Sequence, residues 1–189
     1  MTVDEALTEL RLGDPRAALA MLGDAGADPD AHAARGMALL AESRPDEARA
    51  ALRWAVSLGD TSPPTLLNLA IAEDRAGNPD YGRRLMSSIA DRMTDWDEPL
   101  ARLAESLRAA GDAPAAETAY RQALDRNPRR CGALIALSGL LLTRGQGDEA
   151  RDLLIRCLGM DAELVEAWDA LGLALLQTQE PALALTAFI

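Results

Sequence analysis

The chain has 189 residues, 49% of them hydrophobic and 26% charged, with a formal net charge of −11, one His and two Cys. Lysine is absent and all 19 basic residues are Arg, which removes Schiff-base chemistry, a Lys general base and the lysine of a phosphate-binding P-loop. An acidic surface repels phosphate backbones and anionic membranes, so neither nucleic acid nor a membrane is an expected partner.

The apolar positions are mostly Ala and Leu and only 3% of residues are aromatic, a composition of strong helix formers that predicts an all-α fold. The acidic start Met1-Thr-Val-Asp-Glu5 is not followed by an apolar stretch of signal-peptide type. The longest apolar run, 132–142, is far short of the ~20 residues a membrane helix needs. Two Cys without regular spacing fit a reducing compartment, and the chain reads as cytoplasmic. Arg as the sole base, with heavy Ala and Gly usage, points to a high-GC bacterial genome.

Taken in chain order, Thr2-Val-Asp-Glu5 has the spacing of a capping box and opens the first helix. Two short helices, about 2–12 and 15–25, flank Gly13-Asp14-Pro15 as a contracted first hairpin. Asp28-Pro29 and Asn78-Pro79 each set a capping residue before a proline at the first helical position. Asp112 and Asp161 are expected to cap two more helices, and Gly77-Asn78, Gly111-Asp112 and Gly145-Gln-Gly-Asp148 mark turns. Residues 181–189 give barely two turns of a last helix. The expectation is a piece of a longer protein, with Leu183, Leu185 and Phe188 on a face that a following unit or another molecule covers.

A fixed period runs through these elements. The segment from Val165 reads Trp168-x2-Leu171-Gly172-x2-Leu175, followed by Ala184 and Phe188. Stepping back 34 residues at a time gives starts at 131, 97, 63 and 29. The eighth position then holds Gly36, Ala70, Ala104, Ser138 and Gly172, and the twentieth Ala48, Gly82, Ala116, Ala150 and Ala184. The twenty-fourth is large: Leu52, Met86, Tyr120, Leu154 and Phe188. The fourth carries His32, Leu66, Leu100, Leu134 and Trp168, and the seventh Arg35 followed by Leu69, Leu103, Leu137 and Leu171. The pattern resembles the tetratricopeptide repeat (TPR), a helix-turn-helix unit of that length. Its expected organisation is a single array: a first hairpin over 1–28, full repeats over 29–62, 63–96, 97–130 and 131–164, and an incomplete one over 165–189. Departures fall at His32, Arg35 and Glu73, in columns normally apolar. Proline closes a repeat only at Pro128, so the turns at Asp60, Thr94 and Ala162 are expected to be less rigid.

Chemistry-bearing motifs are missing. His32 stands alone at a packing position, Cys157 occupies an interior column shared with Ala55, Ile89 and Ala123, and Cys131 opens its repeat. No CxxC or HExxH occurs, and Gly145-Gln-Gly147 is a turn without a preceding strand. No catalytic, cofactor or metal site is expected.

What the resemblance implies is a right-handed superhelical solenoid of antiparallel hairpins, whose concave face is lined by positions 2, 5, 6, 9, 12 and 13 of each repeat. Those positions are apolar at the ends, with Met37 and Leu40 on one side and Ile135, Leu142, Leu173 and Leu176 on the other. They are charged in the middle, with Asp74, Arg75, Arg102, Glu105 and Arg108. Arg102, Glu105 and Arg108 are three apart and share a helix face. Arg grips a carboxylate with two parallel donors, so an acidic peptide or chain terminus is a natural ligand; alternatively Glu105 and Asp74 neutralise these bases. The candidate groove is Met37, Leu67, Asn68, Ile71, Arg75, Arg102, Glu105, Arg108 and Ile135. Asn68 and Arg102 match two positions of the TPR subfamily that clamps the C-terminal carboxylate of heat-shock chaperones. Ala33, Met37 and Glu98 break that pattern, and the clamp is not assigned. The expected function is a non-catalytic scaffold binding a peptide or helix of another protein. The alternatives are the recruiting arm of a larger enzyme, such as a glycosyltransferase or sulfotransferase, and self-assembly through the C-terminal face.

Overall fold

The computed structural model describes residues 2–23 and 26–187. Among them the chain forms twelve α-helices and no strand, in two compact units spanning 1–93 and 94–189. The first unit holds three antiparallel hairpins: α1 (Val3–Leu12) with α2 (Pro15–Leu22), α3 (Pro29–Ala41) with α4 (Pro45–Ser57), and α5 (Pro63–Arg75) with α6 (Pro79–Arg92). The second unit holds α7 (Glu98–Ala109) with α8 (Ala113–Arg126), α9 (Cys131–Thr143) with α10 (Gly147–Leu158), and α11 (Val165–Gln177) with α12 (Pro181–Ala187).

Close approach of the paired helices explains the small residues. A Cβ on Gly36 would lie 2.3 Å from Cγ of Leu52, which is fully buried, and one on Gly82 would lie 2.6 Å from the Ala70 carbonyl oxygen. Ala104, Ala116 and Tyr120 are buried together in the second unit, as are Ser138, Ala150 and Leu154. Ser138 satisfies its hydroxyl by donating to the Ile135 carbonyl at 2.7 Å, so a polar atom sits in the core without an orphaned bond.

The helix starts follow local chemistry, with two corrections. Thr2 and Glu5 form the reciprocal capping box, Asp28 accepts from the Asp30 and Ala31 amides, and Asp112 accepts from the Ala115 amide. Asn78 makes no cap bond; its side-chain amide instead donates to Glu73 at 2.9 Å. Nor does Asp161 cap α11, whose N-cap is Leu164; Asp161 accepts from the Glu163 amide inside the preceding turn. Helix α2 ends at Leu22, short of residue 25, because Gly23 leaves helical geometry at φ 48°.

The off-pattern residues each hold a junction. The Glu73 side chain is wholly buried, yet its carboxylate accepts from Arg53 Nε at 2.7 Å as well as from Asn78, tying α4, α5 and the turn into α6. Arg35 donates to the Gly23 carbonyl at 2.6 Å, and His32 Nε2 lies 2.9 Å from the Gly26 carbonyl, so both brace the link from α2 to α3. The turn at Asp60 is held rather than loose. Its carboxylate accepts from the Ser62 amide at 2.9 Å and the Thr65 hydroxyl at 2.6 Å. Burial alone would raise the Asp60 pKa, but these bonds outweigh it and hold the group below the usual carboxylate value. At the end of the described chain Leu183 and Leu185 are exposed, while Phe188 lies outside the described residues.

Candidate functional site

Within each unit the first helices of successive hairpins lie side by side, α1 with α3 and α3 with α5, and α9 with α11. In the second unit this surface is hollow. Helix α9, Cys-Gly-Ala-Leu-Ile-Ala-Leu-Ser-Gly-Leu-Leu-Leu-Thr, is apolar on every side, a pattern that calls for burial all round. One side is nonetheless open. A 580 Å³ cavity there is lined by Arg108 of α7, Gly132, Ile135, Ala136, Gly139, Leu140 and Thr143 of α9, and Glu166 of α11. A second, of 550 Å³, shares Gly139 and Thr143 and is completed by Leu142, Leu173, Leu176 and Gln177. Leu173 and Leu176 are about half exposed. A Cβ added to Gly132 or Gly139 would meet nothing within 4 Å, so no packing within the described residues requires glycine at either place.

The corresponding surface of the first unit differs in chemistry. Its 410 Å³ cavity sets Asp4, Asp30 and Asp60 around Val3, Leu7, Ala33, Ala34 and Met37, with Ser62 and Thr65 at its wall and no base.

The candidate groove residues divide accordingly. Met37 is exposed on the acidic cavity of the first unit. Leu67 is 5% exposed and Leu40 is 8% exposed, so both pack inward and neither offers a free side chain. Asn68 and Ile71 are half-buried and Arg75 is exposed. In the second unit Arg102 is already engaged: it donates to Glu98 at 2.8 Å and to Glu105 at 3.0 Å. Glu98 also receives Arg130, which pairs with Asp97 as well, so Arg102 belongs to a ladder of alternating charge. Burial would lower the Arg102 pKa; Glu105 and Glu98 outweigh it and hold the guanidinium above its usual value. The neutralising partners of Arg102 are therefore Glu105 and Glu98, on its own helix. Arg108 is exposed, and Ile135 is half-buried in the same cavity wall.

Three residues outside the groove complete the picture. His32 packs edge-on to Trp54, ring centroids 6.0 Å apart. Both cysteines are free; Cys131 is half-buried and its thiol donates to the Cys157 carbonyl at 3.6 Å. Burial, reinforced by the Cys131 thiol, pushes buried Cys157 up to about 12, which leaves it unreactive at neutral pH. No helix among the described residues is long and apolar enough to cross a membrane.

Family models for the tetratricopeptide repeat match residues 3–63 and 107–176, together well over half of the chain. A curated relative, cellulose synthase operon protein C of Pseudomonas fluorescens (strain SBW25), is 29% identical over 77% of this chain, which spans 11% of that protein's length. Among solved structures, MamA (41-end) from Desulfovibrio magneticus RS-1 superposes with a TM-score of 0.70 at 15% identity, covering 88% of this chain and 93% of that one. YrrB, described as a TPR protein with an unusual peptide-binding site, does so at 0.62 and 13% identity over 87% of each chain. The chain belongs to the tetratricopeptide repeat family, a class of all-α helical-repeat solenoids.

Proposed function

We propose that the chain is a non-catalytic protein-interaction scaffold that receives a peptide or helix of another protein along α9 and α11. The TPR fold is that of a protein-interaction scaffold. The observation that carries the finer reading is the open apolar channel over Gly132, Ile135, Gly139, Leu142, Leu173 and Leu176. Gly139, inside the helix, forgoes ~1 kcal/mol relative to alanine, and neither it nor Gly132 is required by a neighbour. A backbone or side chain laid into that space accounts for them. YrrB, with its peptide-binding site, supports the reading by analogy of fold. On the first unit Met37, Asn68, Ile71 and Arg75 are proposed as contacts of a surface of that unit's own, and on the second Arg102 and Glu105 are proposed as contacts that are already paired with each other. The repeat boundaries after residues 28, 62, 96, 130 and 164 belong to the same proposal.

Peptides selected from a displayed 12-residue library on the intact chain supply the probe. Gly139→Leu fills the channel in open space, and it should weaken the selected peptides more than tenfold while lowering neither helicity nor the melting temperature. Full retention of affinity by that variant overturns the reading.

The length of the cellulose synthase operon protein favours a second reading, in which the array is a recruiting arm of a larger protein serving polysaccharide synthesis. An antibody raised against the chain would then detect a polypeptide far larger than 20.1 kDa in cell extracts; a band at that mass overturns it.

A further inference from the structure

We infer that the channel of the second unit selects a segment bearing an acidic side chain, which Arg108 receives, within an otherwise apolar stretch. The inference rests on the docking function proposed above and adds the chemistry of the partner.

The case begins with the contrast between two arginines on one helix. Arg102 spends its donors on Glu98 and Glu105. Arg108, six residues along α7, makes no ion pair among the described residues although the protein is net acidic, and it lines the channel cavity. Its electrostatic neighbour is the Tyr120 phenol, which burial raises in pKa and the guanidinium pulls back down. That phenol is 1% exposed, and its hydroxyl has no hydrogen-bond partner among the described residues. Arg108 is thus left without a paired carboxylate on a cavity otherwise lined by Gly, Ile, Ala, Leu, Thr143 and Glu166. A guanidinium beside low-dielectric walls binds a carboxylate more strongly than one in open water.

Charge complementarity names the occupant. Glu166, exposed on the same cavity, excludes a strongly acidic stretch, so one carboxylate among apolar residues fits best. The apolar wall continues past the Arg108 cavity into the neighbouring one through Gly139 and Thr143. A segment filling both presents several side chains to the walls but only one terminus, which favours a side-chain carboxylate over a chain terminus.

The test uses the intact chain and four fluorescein-labelled, Leu- and Ala-rich 12-residue peptides read by anisotropy. Three are capped at both ends and differ only in a central Asp, Asn or Lys; the fourth has the central Asn and a free C-terminal carboxylate. The Asp peptide should bind about tenfold tighter than the Asn peptide, and the Lys peptide more weakly than either. Arg108→Gln should erase the Asp–Asn difference while leaving the Asn affinity in place, Arg108→Lys should restore part of it, and Arg102→Gln should preserve it. Equal affinities for Asp and Asn, a difference that survives Arg108→Gln, or a preference for the free terminus overturns the inference. If Gly139→Leu abolishes binding yet charge makes no difference, only the charge selection fails. If no peptide binds, or if Gly139→Leu is silent, the docking function fails and this inference with it.

Discussion

The two units use one helical template to present opposite chemistries. In the first, Asp4, Asp30 and Asp60 ring a cavity over Val3, Leu7 and Met37; in the second, a single Arg and a single Glu flank a channel of Gly, Ile and Leu. Their interiors, by contrast, are built alike, with small residues under large ones: Gly36 beneath Leu52, Gly82 against the backbone of Ala70, Ala116 beside Tyr120, Ala150 beside Leu154. The columns that hold helices together are under a steric constraint that side-chain volume must satisfy. Positions between those columns face outward and are free to change character from unit to unit. A scaffold built this way acquires new surfaces without renegotiating its core.

The sharpest way to break that comparison is to add the same methyl group to a packed glycine and to an open one. Gly82→Ala drives a Cβ into the Ala70 carbonyl and should destabilise by about 2 kcal/mol, in the range of overpacking penalties. Gly139→Ala, by contrast, adds a methyl in open space and should stabilise by up to ~1 kcal/mol through helix propensity. Urea unfolding of both variants gives the two signs; destabilisation by both would show that the channel glycine is packed after all. Next in size is the acidic cavity. Asp60 is held below its unfolded pKa, so its stabilising contribution is complete above that unfolded value and is lost as the pH falls through the folded one. Thr65→Val removes one of the bonds that hold it there. It should cost ~1 kcal/mol at neutral pH and should flatten the acid limb of the stability curve. An unchanged acid limb would place the stabilisation elsewhere. The smallest effect is expected in the second unit, where Tyr120→Phe deletes a buried hydroxyl without a partner and should raise stability by up to ~1 kcal/mol. A loss in thermal melts would mean that the hydroxyl is engaged.

Much of the fold was legible because a steric rule with a fixed interval leaves a trace in residue size. The starts of α3, α5, α9 and α11 at 29, 63, 131 and 165, and of α7 one residue past 97, follow from counting. What counting could not reach were contacts between residues at non-repeating separations. Glu73 looks like a defect in an apolar column until Arg53, twenty residues earlier, is found beside it. Arg102 and Arg108 stand three residues either side of Glu105, and spacing alone does not say which of them it pairs; in the structure Glu105 and Glu98 both go to Arg102, which separates the occupied base from the available one. Leu67 carries the position number of a groove residue but packs inward, as Ala33 and Ala101 do at the same position. The empty space over α9 had a visible sign, two glycines seven apart in a helix otherwise made of good formers, though composition alone assigns it no role.

Those vacant places over Gly132 and Gly139 have a bearing on how such a molecule can be altered. Alanine, valine or leucine set there would raise the floor of the channel in graded steps, each probing how deep a ligand reaches, with the hairpin beneath left undisturbed. Affinity and foldability are thereby uncoupled at two codons, so variants with new tastes could arise there without first having to survive a weakened framework.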